Sequence, residues 1–200
     1  MSPETRPQPG GEAPDHRFSR LKSSAIRLFA HRGYEGAHIS EIARTAGVRK
    51  SSVYSHCKSK DDLFLSLVRQ AAELELEAVM DRLDVGGILS GLKSYVEEIP
   101  ARLGEDPPVL GFLIRSFYTP PPELKSAVLL VSDSFFERAK AHFALCLADG
   151  GVPPDGIRHA VEACNVVLDA LHVACMYCPQ NLDIRMQSSF AMLEKYINAF

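Results

Sequence analysis

The chain has 200 residues, of which 46% are apolar, and a net charge of −3. This length and apolar content allow one small domain and one larger domain with a real core. No apolar run approaches the roughly 20 residues of a membrane span, and no apolar signal segment opens the chain. Five cysteines, an odd number without framework spacing, are typical of a reducing compartment. We therefore expect a cytoplasmic protein that does not use a membrane.

Residues 1–15 are rich in proline and glycine and poor in apolar residues. Such a segment cannot bury enough apolar surface to offset the entropy lost on ordering it. We predict a disordered tail here, so the first ordered domain is expected to begin at about residue 16.

Basic charge is concentrated immediately after this tail. Residues 16–60 contain ten Lys and Arg against two acidic residues, a net charge of +8, which leaves −11 for the rest of the chain. A charge run by itself is usually only a solvated face. A basic segment on an acidic chain is also the electrostatic footprint of a nucleic-acid-binding domain. The local residue pattern has to decide between the two interpretations.

Residues 39–60 predict two short helices around a tight turn. Ser40 is predicted to cap the first helix, because its hydroxyl can accept from a free backbone N–H of the first turn. Gly47 supplies the positive φ that lets this helix stop sharply, and Val48 fills the corner. The apolar face of the first helix consists of Ile39, Ile42, Ala43 and Ala46.

The second helix is predicted from about residue 50 to residue 56. Val53 and Cys57, four residues apart, face inward. Hydroxyl, ammonium and imidazole groups on the outer side can reach phosphates and base edges, whereas a globular core needs no such run of polar groups. The pattern indicates the recognition helix of a helix-turn-helix. The outer side carries Lys50, Ser51, Ser52, Tyr54, Ser55 and His56.

Residues 18–64 resemble the N-terminal domain of the tetracycline-repressor (TetR/AcrR) family of transcriptional regulators. The resemblance covers about the first third of the chain, and its many fixed spacings make it specific. It implies binding to double-stranded DNA at a palindromic operator. The matching landmarks are Ala25, Leu28, Phe29, Gly33, Tyr34, Ile42, Ala43, Ala46, Gly47, Val48, Lys50, Val53, Tyr54, Ser59, Lys60 and Leu63.

The resemblance also implies roles for single residues. Two positions depart from the family pattern. Arg49 stands where Ser or Thr often caps the recognition helix, so we expect a weaker cap, and Cys57 replaces a common aromatic, so we expect a smaller core contact. Tyr54 has packing as its alternative role. Ser40 and Arg44 would touch the phosphate backbone, Tyr54 and Lys60 would clamp phosphates, and Arg49, Lys50, Ser51, Ser52 and His56 would lie nearest the bases.

The rest of the chain predicts helices only, separated by glycine pairs and prolines. The first of them, capped by Ser59 with Asp62, would join two domains. We expect an all-α protein of about nine helices, with a DNA-binding domain over residues 16–62 and an effector-binding and dimerisation domain over residues 63–200. The predicted helices of the second domain are 61–83, 88–103, 108–117, 122–149, 154–177 and 182–199.

Residues 163–177 are apolar on two faces, so this helix must be covered twice. One face can pack on the helix's own domain. The other favours a partner subunit, and the family resemblance implies the same homodimer. The alternative is a fully internal helix in a monomer. The predicted dimer interface consists of Val166, Val167, Ala170, Val173, Ala174, Tyr177, Phe190, Leu193 and Ile197.

Asn165, Asp169 and His172 share a third face of the same helix. They are either the solvent edge of the dimer seam or polar fixtures of a ligand pocket. The resemblance implies that the second domain senses a small hydrophobic effector in an apolar cavity. The candidate pocket residues are Tyr95, Phe112, Phe117, Phe135, His142, Cys164 and Leu168, with His142 alternatively a satisfied core histidine.

No catalytic or metal site is indicated. Cys175 and Cys178 have Cys-x-x-Cys spacing, but on a helix they fan apart and no second ligand pair follows. The chain lacks a nucleotide-binding loop, a nucleophile elbow and a zinc-protease motif. We therefore expect no metal, no cofactor and no enzymatic activity.

The expected function is that of a DNA-binding transcriptional regulator, namely a repressor that a small hydrophobic effector releases from its operator. Two alternatives stay open. One is a regulator without an effector. The other is a helical enzyme or protein-interaction module whose helix-turn-helix is purely structural.

Overall fold

The computed structural model describes residues 14–200, with side chains from residue 16. In this part of the chain all regular structure is helical, as predicted. The predicted tail lies outside the described residues, apart from its last two, which begin the first helix. The helices are α1 (Pro14–Gly36), α2 (Ile39–Ala46), α3 (Lys50–Tyr54), α4 (Lys60–Leu103), α5 (Val109–Tyr118), α6 (Lys125–Asp149), α7 (Pro154–Tyr177) and α8 (Leu182–Ile197), with short 3-10 helices at Pro122–Leu124 and Pro179–Asn181.

Helix α4 is interrupted by a reversal at Gly87, whose φ of 71° and ψ of −179° are not helical. The second segment returns along the first, since the Arg82 guanidinium pairs with Glu98 across the bend. Gly91 permits this approach, because a Cβ there would lie 2.7 Å from the Arg82 carbonyl oxygen. The two helices predicted on either side of the glycine pair are therefore the arms of a helical hairpin. Counted separately, they bring the described helices to the nine that were expected.

Two hydrophobic clusters organise the fold, and we call residues 16–62 the head and residues 63–200 the body. The head core combines α1, α2 and α3 with the start of α4, and it also takes in Phe112 of α5 and Val128 of α6. The body core combines the rest of α4 with α6, α7 and α8. The first arm of α4 supplies Leu67 to the head core and Leu76 to the body core. This arm is therefore a shared wall between the two cores.

The start of α2 differs from the prediction. Extended His38, not Ser40, occupies the N-cap position, and no side chain caps this helix. The backbone N–H groups of Glu41 and Ile42 both donate to the His38 carbonyl, each at 3.0 Å. The predicted cap was wrong because Ile39 enters the helix to bury its side chain, which places Ser40 inside the first turn and exposed.

The turn between α2 and α3 agrees with the sequence pattern. Gly47 ends α2 in the left-handed region with φ 68°. The Val48 N–H donates to the Ala43 carbonyl at 3.0 Å and so satisfies one of the last free carbonyls of the helix. Helix α3 is shorter than predicted, because the N–H groups of His56 and Cys57 both turn back to the Val53 carbonyl.

Helix α7 is the one helix among the described residues that is long and apolar enough to span a membrane by length and composition alone. In the most apolar window of this helix, 44% of the residues are buried inside the protein. Core helices of compact domains pass the same test, since both must be apolar around much of their circumference.

Candidate functional site

Helix α3 presents a polar outer face on an apolar anchor. Val53 is completely buried beneath it, and Cys57 is buried beside it. Burial raises the pKa of the Cys57 thiol, so the group is a neutral packing element, as expected from the sequence. The outer face carries the exposed side chains of Lys50, Ser51, Ser52, Tyr54, Ser55 and His56.

Tyr54 is 49% exposed, so it is available to a partner and contributes little to the core. Arg49 occupies the N-cap position of α3, and its side chain makes no capping hydrogen bond. The weaker cap predicted from this departure is therefore present. The Arg49 side chain is exposed, like those of the polar face.

Two of the residues predicted to contact DNA phosphates have partners inside the head. Arg44 is exposed and lies 3.6 Å from Glu41, a weak contact that a phosphate can replace. The Lys60 ammonium donates to the Tyr34 carbonyl at 2.9 Å and sits 3.9 Å from the centre of the Tyr34 ring. Lys60 is therefore held against Tyr34. A contact with a DNA phosphate requires its ammonium group to leave the Tyr34 carbonyl.

His56 has a contact that the sequence pattern did not reveal. Its ring stacks on Phe18 of α1, with ring centres 4.5 Å apart and planes inclined by 28°. The Lys22 ammonium lies on the Phe18 ring at 4.6 Å. The first turns of α1 therefore support the end of α3 and place basic charge beside it. Only the positive charge of this segment could have suggested the link, because α1 and α3 are brought together by tertiary packing.

The head is fastened to the body through α5 and the turn before it. The Arg115 guanidinium donates to the Ala30 carbonyl at 2.9 Å, and Arg27 forms a two-point ion pair with Asp106. Phe112 lies in the head's aromatic cluster, with its ring centre 5.4 Å from that of Phe64. The structure therefore does not bring Phe112 to the predicted effector pocket, because its side chain is the apolar link between body and head.

A small internal cavity of about 20 Å³ lies between α4, α6 and α7. Of the predicted pocket residues, Tyr95, Phe135 and Leu168 line it. Phe117 packs against Phe135 at its edge, with ring centres 5.6 Å apart. The other candidates lie elsewhere: Cys164 is fully buried in the body core, and His142 Nε2 lies 2.9 Å from Asp84 Oδ1.

Asn165, Asp169 and His172 form the polar wall of this cavity. The structure favours the pocket alternative for them, because all three line the cavity, although Asp169 and His172 are half-buried rather than fully enclosed. Asn165 is buried. Asp169 accepts a hydrogen bond of 2.6 Å from the Tyr118 hydroxyl, and burial and this carboxylate raise the pKa of Tyr118.

A buried polar chain continues from His172 into α4. The Tyr95 hydroxyl donates to Glu75 at 2.5 Å, and Tyr95 lies 2.7 Å from His172 Nε2. Because the single Tyr95 proton is directed to Glu75, Nε2 of His172 carries the proton of this second bond. Burial lowers the pKa of His172 to about 4, so the imidazole is neutral near neutral pH. Glu75 is also ion-paired with Arg102.

Glu75 and Arg102 were missed from the sequence. The available signal was that Glu75, alone of the three acids between Ala72 and Val79, lies on the apolar face of the first α4 arm. Its partner comes from the second arm, 27 residues later. A pairing across the Gly87 reversal could not be predicted without the geometry of the hairpin.

The predicted dimer face is divided by the structure. Val166, Ala170, Val173 and Tyr177 are exposed along one side of α7, and Val166 is 65% exposed. Val167 and Phe190 are half-buried. The prediction was wrong for Ala174, Leu193 and Ile197, which are buried in the body core.

The exposed apolar side of α8 instead carries Ile184 and Met192, and Met192 is 71% exposed. The prediction assigned the wrong side of α8 to the dimer interface. The apolar residues of α8 occur on both sides of this short helix, and packing against α4 and α7 selects Met186 and Leu193 for the core. Sequence spacing alone did not distinguish the inner stripe from the outer one.

No group of three or more His, Cys, Asp and Glu residues is placed to hold a metal ion within the described part of the chain. Cys175 is buried, and burial raises the pKa of its thiol to about 11. A neutral, buried thiol is a packing group in this state.

Fold and site together define an all-helical protein with an N-terminal helix-turn-helix. Residues 22–67 match the family of bacterial regulatory proteins described as the tetR family. The chain has the fold of FadR from Bacillus subtilis in complex with stearoyl-CoA, with a TM-score of 0.68 and 18% identity over 92% of this chain and 99% of that one. It is also similar to the TetR-family regulator PfmR from Thermus thermophilus, with a TM-score of 0.59, 19% identity and coverage of 89% and 94%.

The sequence matches to two named regulators each cover less than half of this chain. The chain is 27% identical to the transcriptional repressor AcnR of Corynebacterium glutamicum over 88 residues, which are 44% of this chain and 45% of that protein. It is 38% identical to the regulator YezE of Bacillus subtilis over 75 residues, 37% of this chain and 39% of that protein. These matches span less than half the length of the relatives. Together with the family match over residues 22–67, they show that part of the chain is similar in sequence to TetR-family regulators, and the solved structures show that it shares their fold.

Proposed function

We propose that the protein is a cytoplasmic, homodimeric transcriptional repressor that binds a palindromic operator and is released from it by a small hydrophobic effector. The observation that carries this proposal is the exposed, hydroxyl-rich face of α3, mounted on a helix-turn-helix in the basic part of the chain. Relatives named as repressors, AcnR among them, support repression rather than activation. The head is assigned to DNA and the body to effector binding and dimerisation.

In this proposal the polar face of α3 enters the major groove. Ser51, Ser52 and His56 read base edges, because hydroxyl and imidazole groups can both donate and accept there. Arg49 and Lys50 add positive charge near guanine acceptors and phosphates. Ser40, Arg44, Tyr54 and Lys60 hold the flanking phosphates, which fixes the orientation of the head without reading sequence.

The exposed apolar stripe on α7 and α8 supports a two-fold dimer. An apolar surface of this kind is costly in water and suits an identical copy related by a two-fold axis. The two heads would then meet successive major grooves about 34–36 Å apart. Met192→Asp should convert dimers to monomers, because an unpaired carboxylate would be buried in the interface.

Sedimentation of the variant measures this effect directly. Leu145→Asp is the matched control, since Leu145 is 64% exposed on α6, away from the stripe, and should leave the dimer intact. A Met192→Asp protein that stays dimeric would refute the proposed interface.

The internal cavity supports an effector site in the body. Its walls belong to α4 and α7, and α5 seals one edge through Phe117 and Tyr118. The first arm of α4 enters the head core, and α5 fastens the head through Phe112 and Arg115. A ligand that binds better to an open cavity would therefore shift both elements and change the spacing of the heads.

The decisive experiment is selection of genomic DNA fragments by the purified full-length protein, followed by fluorescence anisotropy on an enriched fragment and on a shuffled control at increasing salt. We expect specific binding with a steep salt dependence, as phosphate contacts require. Equal, weak binding to both fragments would instead favour a helical module whose helix-turn-helix is purely structural.

A further inference from the structure

The polar wall of the internal cavity is rich in hydrogen-bond acceptors. The Asn165 amide nitrogen donates one proton to the Val161 carbonyl at 3.1 Å, which leaves its oxygen as an acceptor and one N–H as a donor. The His172 Nε2 proton is directed to Tyr95, which leaves Nδ1 as an acceptor. Asp169 contributes a carboxylate. A molecule in this cavity therefore needs donors on its polar end.

The charge of the wall is negative. Glu75, behind Tyr95, is neutralised by its ion pair with Arg102. Asp169 has no such partner among the described residues, and its hydrogen bond comes from the neutral Tyr118 hydroxyl. Lys140, the amine whose charge Asp169 influences, is itself paired with Glu162 at 2.8 Å. The low pKa of His172 keeps that side chain uncharged, so the wall offers no cation to an acidic ligand.

The rest of the cavity wall is aromatic and apolar. Phe135, Phe136 and Phe143 of α6 line the cavity together with the polar residues of α7. Aromatic faces are negative at their centres and attract a cation held within about 6 Å. A carboxylate of a fatty acid would lie among these aromatic rings and next to the Asp169 carboxylate, whose like charge makes its binding unfavourable.

We propose that this cavity selects a small amine with an apolar or aromatic body, whose ammonium group binds the Asp169 carboxylate in place of the Tyr118 hydroxyl. The proposal rests on the proposed function of an effector-released regulator and names the chemical class of the effector. It separates this chain from the FadR structure of the same fold, whose ligand is stearoyl-CoA.

Entry of the amine requires the cavity to open. Its volume of about 20 Å³ corresponds to roughly one water. The half-exposed Tyr118 lies over Asp169 at the mouth, and Phe117, Phe135 and Phe136 are in mutual ring contact with centres 5.3 to 6.1 Å apart. Displacing Tyr118 and Phe117 moves the end of α5, the helix that fastens the head.

The test uses three probes of similar size: phenethylamine, phenethyl alcohol and phenylacetate. Binding to the full-length protein is measured by calorimetry. We expect phenethylamine to bind about tenfold more tightly than the alcohol, because its hydrogen bond to Asp169 is charge-assisted, and phenylacetate to give no measurable binding. Asp169→Asn should lower the affinity for the amine to that of the alcohol and leave the alcohol unchanged.

Asp155→Asn is the matched control, since it removes an exposed carboxylate from the first turn of the same helix and should leave all three affinities unchanged. Circular dichroism verifies that both variants are folded. Phenylacetate binding as tightly as phenethylamine, an amine preference that persists in Asp169→Asn, or no binding by any of the three probes would each overturn the proposal.

Operator affinity is measured separately, with and without saturating phenethylamine. A loss of operator affinity with the amine supports the proposal as the effector class. If the amine binds through Asp169 and operator affinity is unchanged, the ligand class stands and the proposed effector function fails. If the protein binds no operator at all, the calorimetric result still decides the ligand class.

Discussion

The head and the body of this protein hold their polar groups in opposite ways. The head core is apolar and aromatic, with Phe29, Tyr34, Phe64 and Phe112 in successive ring contacts, and its functional groups point outward on α3. The body core encloses charged and polar side chains in a connected chain from Glu75 to His172. A well-packed apolar core fixes the position of a surface, whereas a buried polar network can be rearranged by a ligand that replaces its partners. This difference supports the proposal that the head binds DNA as a rigid unit while the body changes conformation when it binds a ligand.

The largest expected effect tests the head core. Phe29→Ala removes a nearly fully buried ring that touches three other aromatic rings. We expect the free energy of unfolding to fall by about 3–5 kcal/mol, the usual cost of such a cavity. Urea denaturation followed by circular dichroism measures it. A loss under about 1 kcal/mol would mean that the head core is not the rigid support described above.

The second effect tests the buried charges of the body. Arg102→Met leaves the Glu75 carboxylate without its cation in the core, which should cost about 3 kcal/mol, the lower end of the range for a broken buried pair, because Tyr95 still donates to Glu75. Arg138→Met is the control, because Arg138 and Glu73 are both exposed and such pairs contribute about 0–1 kcal/mol. The double variant Glu75→Gln with Arg102→Met should recover most of the loss. If Arg102→Met and Arg138→Met lowered the free energy of unfolding equally, the buried pair would be no more important for stability than the exposed one.

The third effect is the pH dependence contributed by His172. Burial lowers its folded pKa to about 4, below the ordinary value of about 6.5. Above about pH 6.5 the group is neutral in both states, and its contribution to stability is fully present. As the pH falls from about 6.5 to about 4, the unfolded chain takes up a proton that the folded chain does not, so stability is lost.

We therefore expect the wild-type protein to lose about 1 kcal/mol more than His172→Gln between about pH 7.5 and about pH 5.5, measured by urea denaturation at each pH. His159→Gln is the control, since His159 is exposed on the same helix and should follow the wild type. Parallel curves for the wild type and His172→Gln would show that the imidazole is not held neutral in the body.

The smallest effect concerns the outer face of the head. Arg44→Gln should weaken binding to every DNA sequence and reduce the salt slope by about 0.9, the value of one phosphate contact. Ser52→Ala should change the preferred sequence and leave the salt slope unchanged. Arg185→Gln, an exposed cation of the body, should change neither quantity. Identical behaviour of Arg44→Gln and Ser52→Ala in anisotropy titrations would contradict the division of roles.

The same contrast explains what could be predicted from the sequence. The turn at Gly47, the buried Val53 and the polar face of α3 follow from spacings of a few residues, and all of them are present. The cap at Ser40 was wrong because burial of Ile39 started the helix earlier. In the body, helices and their breaks were predictable from prolines and glycines, but the contacts between helices were not.

Rotation of helices about their own axes accounts for most of the remaining errors. Asp169 and His172 share a face by spacing alone, yet only packing against α4 and α6 directs that face inward. Leu193 was expected at the dimer interface and lies in the core, while the outward Met192 was missed. Long-range pairs such as Glu75 with Arg102 depend on the hairpin at Gly87 and leave no local signal.

The most direct test of the proposed function is an anisotropy titration of the purified protein on the DNA fragment that it selects and on the same fragment with one half-site scrambled. Two heads that read one palindrome predict a loss of at least about 10³-fold in affinity when one half-site is lost, within the span that separates specific from non-specific DNA binding. Equal affinity for the intact and the half-scrambled fragment would contradict the account, because the protein would then not read its operator as a dimer.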